Sequence, residues 1–415
     1  QMCLGAIVVL TTSTLNRLMV VELALPAVLP GLLVALHYGI QITRPNWGFL
    51  SDAGGNRTLF IVGGMGVLAL GGLGAAWGVA LMETAFAPGL AVSIAAYALI
   101  GVGVGASGTS LLALLATATA PRRRAAAATI TWLMMIFGIA ATAGTVGAFL
   151  DPYSHALLLR IVAIVAGGAV LLTILAVWGV ERGVDAQPAH DEQGFVEGLK
   201  EVWAERHARN FTIFVFLSMT AYFMQELILE PYAGLVFGLT PGQSTSLSGA
   251  QNGGVFVGML LVGIAATGLR IGSLRSWVIA GCLGSAASLA AITFAGSAGI
   301  SAGLMPGVVA LGMFNGMFAV AAIGSMMALA GEGRESREGT RMGLWGAAQA
   351  IAAGFGGLTG AAAADVMRTF MASDATAFGT VFLAEAALFL VAAAMAAKVI
   401  QTARAPGRAA MMPGE

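Results

Sequence analysis

The chain has 415 residues, of which 58% are apolar and only 10% are Asp, Glu, Lys or Arg, and its mean hydropathy is +0.88. Charged residues make up roughly a quarter of a water-soluble chain, so a soluble globular protein is excluded. The 20 basic residues balance the 20 acidic ones, leaving no global field for nucleic acid or a polybasic surface partner.

A spanning helix needs about 20 mostly apolar residues. Twelve such stretches are predicted, at 2–25, 28–47, 58–82, 91–118, 126–148, 157–180, 210–235, 247–268, 276–296, 303–330, 341–364 and 376–398. The one long polar stretch, 181–209, falls between the sixth and seventh spans. The reading is therefore an all-α membrane protein with an N-terminal six-helix half (1–180), a linker (181–209), a C-terminal six-helix half (210–398) and a tail (399–415). Loops after even-numbered spans, the linker and the tail hold all of the 20 Lys and Arg except Arg17, Arg160 and Arg368. The positive-inside rule then makes the linker and both termini cytoplasmic. The 58 Gly and 20 Met against 12 Pro suit helices whose backbones approach closely within a bilayer. Cys3 and Cys282 sit in apolar runs far apart, with neither a disulfide framework nor metal-ligand spacing. The sequence opens at Gln1 inside an apolar run without a charged n-region, so a missing natural start is expected rather than a signal peptide.

Polar residues inside the spans are few, and each is costly there. The first span carries Asn16, Arg17 and Glu22. Arg17 and Glu22 are five apart, about 140° round an α-helix, a poor geometry for a mutual pair, so both are expected to seek partners on other helices. In the second span His37, Gln41 and Arg44 fall at i, i+4 and i+7, one polar stripe. A neutral imidazole suits the metal of a magnesium or iron macrocycle, but a lone helical His more often bonds to its neighbours. Between the second and third spans stand Gly48, Asp52, Gly55 and Arg57. In the fourth span Gly101, Gly103, Gly105 and Gly108 make a bare face, read first as close packing and second as a pigment or substrate groove. The seventh span carries Gln225, Glu226 and Glu230 before Pro231. Its two carboxylates, four apart, are expected to share a face near the outer interface, with Arg17 pairing to one of them or both simply solvated at the rim. The loop from Gly331 to Arg341 mixes signs and reads as a solvated turn. No Walker loop, zincin helix or nucleophile elbow falls on a plausible loop, so nothing recommends an enzyme.

Two six-helix halves about a linker resemble the major facilitator superfamily, with its internal repeats. Gly48, Asp52, Gly55 and Arg57 resemble that superfamily's G-x-x-x-D-R/K-x-G-R/K-R/K loop, with Ala53 and Asn56 replacing two basic residues. Asp52 would meet a helix N-terminus or a base, although a turn that merely holds helices fits as well.

The segment MQELILEPYAG from Met224 to Gly234, continuing from Val236 to Thr240, resembles the hallmark of the PucC/LhaA bacteriochlorophyll delivery family of phototrophic bacteria. Thr14–Leu23 is similar to that family's first helix, Arg44–Asp52 to its second-helix exit, and Met342–Ala350 with Gly354 to its eleventh helix. His37-Tyr38 and Arg44-Pro45 resemble the LhaA-type branch, associated with the core antenna. The resemblance implies an assembly factor in the bacterial inner (intracytoplasmic) membrane that handles bacteriochlorophyll, with carotenoid or lipid as further ligands. Its implied partners are core antenna polypeptides, the reaction centre, the pigment-synthesis machinery and membrane lipids. Candidate pigment contacts are His37, Gln41, Trp132, Trp345 and Gln349, with Phe137, Phe355 and the stretch around Met326 candidates by type; core packing is the competing reading for the aromatic and Met residues. A proton-coupled facilitator using Glu226, Glu230 and Glu385, and a constitutive pigment-bearing subunit, are the alternative functions.

Overall fold

The computed structural model describes residues 1–44, 46–47, 50, 56–119, 124–181, 203–269, 271–331 and 338–400. Gly48, Asp52 and Gly55, most of the linker and of the loop after Gly331, and the tail beyond residue 400 lie outside them. The helices are α1 Met2–Glu22, α2 Val28–Thr43, α3 Arg57–Met82, α4 Phe86–Ala118, α5 Arg124–Phe149, α6 His155–Val177, α7 Ala208–Phe237, α8 Pro241–Ala266, α9 Leu274–Ser297, α10 Ser301–Met326, α11 Glu338–Phe370 and α12 Asp374–Val399. No strand occurs among the described residues. Eleven of these helices are long and apolar enough to cross a bilayer and α2 is shorter, so the chain is a multi-pass membrane protein. We call the end of the bundle from which the linker leaves the linker face, and the other end the far face.

Local chemistry sets the departures from regular helix. In α1 the hydroxyls of Thr11 and Thr12 both donate to the carbonyl of Val8, at 2.8 and 3.1 Å. That carbonyl is crowded, and the chain widens into a π turn over Leu10–Thr14, followed by a second over Leu18–Glu22. In α7 the helix stops at Met224, turns, and restarts at Leu229. Pro231 is accommodated because it falls in the first turn of the restarted segment, where its missing N–H is not needed.

Helix α8 begins at Pro241 rather than at the expected 247. Thr240 accepts from Gln243 N while the Gln243 side chain accepts from Thr240 N, a capping box followed by Pro at the first helical position. The polar first turn hid this start from a hydropathy reading.

Buried apolar residues fall into two large clusters. One draws on α1–α6 together with Leu227 of α7. The other draws on α7–α12 together with Val20 of α1 and Ala27 before α2. The crossing residues bring α1 and α7 together at the centre, while the two halves meet most extensively between α5 and α8 and between α2 and α11. Along α5 and α8, glycine lets two backbones touch: a Cβ on Gly249 would stand 2.6 Å from the backbone nitrogen of Gly144. Two of the four glycines on the α4 face serve the same purpose, since a Cβ on Gly103 would stand 2.5 Å from Leu68 N, and one on Gly101 2.7 Å from His37 O, whereas Gly105 and Gly108 meet only side chains.

Candidate functional site

The polar residues of α1 meet α7 and α8 at the centre of the molecule. Ser13, Asn16 and Arg17, spaced i, i+3 and i+4, share one face. Ser13 Oγ donates to Glu230 Oε1 at 2.5 Å and lies 2.9 Å from Ser248 Oγ. Asn16 Nδ2 donates to the carbonyl of Leu227 at 2.5 Å, one of the carbonyls exposed by the turn in α7. Arg17 Nη2 donates to the carbonyl of Leu239 at 2.7 Å. All three α1 side chains are buried. Hydrogen bonds are thus the direct tie between these helices, where apolar attraction supplies no specificity against lipid.

Two expectations for these residues are corrected. Arg17 Nη1 does pair with Glu22 Oε1, at 2.5 Å. The π turn over Leu18–Glu22 bonds residue i to i+5 and so stacks Glu22 over Arg17, which a regular α-helix would not do. Arg17 reaches the short segment between α7 and α8, through the carbonyl of Leu239, rather than a carboxylate of α7. Glu226 and Glu230 also do not share a face, because the turn over 225–228 interrupts the i, i+4 register. Glu230 faces Ser13, while Glu226 lies within electrostatic reach of Tyr38 and Tyr222. Neither is at the end of the span, since α7 continues to Phe237. Gln225 is buried, with its Oε1 unpartnered.

The α2 stripe forms a chain of hydrogen bonds. Gln41 Nε2 lies 3.0 Å from His37 Nε2, and Gln41 Oε1 accepts from Arg44 Nη2. An amide that accepts from arginine presents its N–H to histidine, so His37 Nε2 accepts and Nδ1 carries the proton. His37 is buried and Nδ1 has no partner. Next to it, Tyr38 packs edge-on against Phe223 of α7 at 6.1 Å between centroids, and Phe223 against Tyr222 at 5.0 Å. Tyr38, Tyr222, Phe223 and Glu226 are half-buried, an aromatic lining with one carboxyl group between α2 and α7.

The far face is closed across the two clusters by two carboxylates at helix N-termini. Asp365 of α11 accepts from the backbone N–H of Ala27 and Val28, at 2.9 and 2.7 Å. Asp151, beyond α5, accepts from Thr240 Oγ1 at 2.5 Å and Gly242 N at 3.1 Å. Each carboxylate meets the unpaired N–H groups and positive dipole of the helix it caps. Beside this closure is a cavity of about 310 Å³ with Glu22, Glu83, Tyr153 and His155 in its wall; His155 Nε2 lies 3.3 Å from Glu83 Oε2. Burial pushes the Tyr153 phenol up to about 12, and Glu22 and Glu83 add to the effect.

At the linker face Glu181 plays a similar capping part. Its carboxyl accepts from Arg57 N at 2.8 Å and Thr58 N at 2.9 Å, and from Thr58 Oγ1 at 2.7 Å. Desolvation opposes ionisation there, but these hydrogen bonds and the Arg57 charge hold the carboxyl below the usual carboxylate range.

The aromatic candidates separate by burial. Trp345 is 1% exposed; its Nε1 donates to Thr212 Oγ1 at 3.1 Å and its ring packs on Phe211 at 4.9 Å, so it ties α11 to α7 inside the core. Gln349, one turn on, is half-buried. Trp132 is half-buried against Ile136, Val255 and Met259, where α5 meets α8. There Phe137, 44% exposed, packs on Phe256 at 5.9 Å. On the opposite flank Phe355, 52% exposed, packs on Phe216 at 6.0 Å.

Residues 14–404 match the family described as PUCC protein. The chain belongs to the PucC family. It is 68% identical, over 100% of its length and 97% of the relative, to the protein named bacteriochlorophyll synthase 44.5 kDa chain of Rhodobacter capsulatus. Protein PucC of Cereibacter sphaeroides is 28% identical over 85% of this chain and 79% of that one. The inward open conformation of the xylose transporter XylE from E. coli superposes with a TM-score of 0.70 at 16% identity, covering 98% of this chain and 96% of that one. The fold is therefore that of the major facilitator transporters.

The segment resembling the PucC-family hallmark is the one that forms the turn in α7 and presents Glu230 to α1. Sequence reasoning singled out Asn16, Arg17, Gln225, Glu226 and Glu230 but missed Ser13, Ser248, Asp151, Asp365, Glu181 and Tyr38 as partners. Ser13 was visible as the third member of a polar face with Asn16 and Arg17, and Asp365 as an acid directly following an apolar run.

Proposed function

We propose that the chain is a membrane-embedded assembly factor that carries bacteriochlorophyll as cargo and supplies it to the core light-harvesting antenna and reaction-centre polypeptides. The observation that carries this reading is the 68% identity, over the whole chain, with a protein named for bacteriochlorophyll synthesis. His37-Tyr38 and Arg44-Pro45, which resemble the LhaA-type branch, support the core antenna rather than the peripheral one. The relative's name includes the word synthase; in our reading the chain contributes binding and hand-over, not bond formation. Its Lys and Arg bias supports an inner-membrane protein with the linker and both termini in the cytoplasm.

A tetrapyrrole with a long hydrocarbon tail is mostly apolar and suits a lipid-open flank with few polar contacts. The part-exposed aromatic pairs Phe137/Phe256, where α5 meets α8, and Phe216/Phe355, where α7 meets α11, with Trp132 and Gln349 on the same helices, offer such surfaces. Membrane lipid, or a carotenoid, would cover the remaining apolar flank. His37 is a closed ligand in this conformation, because its Nε2 already accepts from Gln41; magnesium ligation there requires Gln41 to swing aside. We assign the grip on the cargo chiefly to the aromatic flanks, with His37 anchoring the α2 stripe.

A strain lacking the gene is expected to lose core antenna while pigment synthesis continues. Unchanged antenna levels contradict the proposal. Saturable uptake of a small solute by the purified chain in vesicles would instead support a proton-coupled facilitator, and a fixed stoichiometry in mature complexes a constitutive subunit.

A further inference from the structure

Glu385 lies in the interior of α12 with 0% of its surface exposed, and neither carboxyl oxygen has a hydrogen-bond partner. It sits between two aromatic layers. One turn toward the far face, Phe382 packs edge-on against Tyr232 of α7 at 5.0 Å. One turn toward the linker face, Phe389 packs on Phe318 of α10 at 6.2 Å, and Phe318 on Phe214 of α7 at 6.5 Å.

The same layer holds two more fully buried polar side chains. Ser285 of α9 donates to Asn315 Oδ1 of α10 at 2.7 Å, which leaves Asn315 Nδ2 without an acceptor. Asn315 stands one turn before Phe318, and Glu385 one turn before Phe389. Because α10 and α12 run in the same direction, the two side chains lie at the same level. An unpartnered acceptor and an unpartnered donor thus lie at one level of the C-terminal half, on helices that both pack against α9.

The titratable groups of the surrounding helices are occupied or remote, apart from the free thiol of Cys282. Tyr232 donates to the carbonyl of Ile292, Cys282 is buried in the same core, and Glu230 is bonded by Ser13. Glu226 lies by Tyr38 and Tyr222. Asp365 caps α2, Arg368 pairs with Asp374 at the far face, and Arg275 and Lys398 belong to the linker-face ends of α9 and α12. Among the described residues no cation is hydrogen-bonded to Glu385.

An ionised carboxylate with no donor in an aromatic interior is the least favourable state for this group. We propose that Glu385, enclosed between these aromatic layers, forms an internal proton-holding site, distinct from the contacts between α1 and α7. At rest the carboxyl group carries the proton. When the helices part and water enters, the O–H bond breaks, the proton passes to that water, and further entering water hydrates the carboxylate left behind.

Infrared spectra of the purified full-length protein in detergent test the site. The wild type minus Glu385→Gln difference is expected to contain the carbonyl stretch of a protonated carboxylic acid throughout the pH range in which the protein stays folded. Loss of ionised-carboxylate stretches instead, or no carboxyl band at all, overturns the proposal. The amide matches the neutral acid in shape, so Glu385→Gln is expected to fold; a variant that fails to fold while Glu385→Asp folds counts against a neutral acid. Exchange in heavy water gives a second readout on the wild type alone. The band should shift slowly, on the time scale of opening of the bundle, and a shift complete on mixing contradicts a closed site.

Discussion

Asp365 and Asp151 do the same work at the two seams of the far face but with different amounts of help. Asp365 reaches from α11 to α2, the second helix of the chain; Asp151 reaches from beyond α5 to α8, the second of the last six. Helix α2 has no cap of its own, since Ala27 precedes it and offers no side-chain acceptor. Helix α8 carries the Thr240–Gln243 capping box and meets Asp151 in addition. One helix start therefore depends on a distant carboxylate and the other is only reinforced by one. Equal-looking contacts across a seam need not contribute equally; what each replaces when it is lost decides its worth.

The largest effect is expected for Asp365→Ala, which leaves buried N–H groups of α2 without an acceptor and should cost about 1–2 kcal/mol, read as a lowered midpoint of thermal unfolding in detergent. Asp365→Asn, which keeps an oxygen but not the charge, should fall between it and the wild type. Next comes the double change Asp151→Ala with Thr240→Val, which strips α8 of both caps and should cost about 1 kcal/mol. Glu181→Gln should cost about 0.5 kcal/mol, because Asn56 still caps Leu59 N in α3. The Glu181 carboxyl is held below its unfolded value, so its contribution is present above that value and is lost as pH falls through the folded one; the gap between wild type and Glu181→Gln should close on acidification. The smallest effect belongs to Asp151→Ala alone, under about 0.5 kcal/mol, with the Thr240 box intact. If Asp151→Ala proves as damaging as Asp365→Ala, the distinction between a sole cap and a reinforcing one fails.

The twelve-span pattern was legible because a bilayer demands long apolar runs, and the His37–Gln41–Arg44 stripe because i, i+4 and i+7 are fixed by helix geometry. The ends were less so. Helix α8 starts within Thr240–Ser246, residues whose polarity argues against a span although Thr240 and Pro241 are strong start signals. The Arg17–Glu22 pair was misjudged because the π turns of α1 change the angular spacing, and nothing in an apolar run with scattered Thr announces them in advance. Glu226 and Glu230 were placed on one face because a turn inside a span is invisible to hydropathy. Asp151, Asp365 and Glu181 bind backbone groups far away in sequence, and a backbone N–H has no signature in the residue that owns it.

The most direct test of the account is the absorption spectrum of the full-length chain purified in mild detergent from cells that make bacteriochlorophyll. Near-infrared bacteriochlorophyll bands that accompany the protein, weakened by Phe137→Ala with Phe355→Ala and retained in His37→Ala, are the predicted result. A colourless preparation that takes up a hydrophilic solute would contradict it.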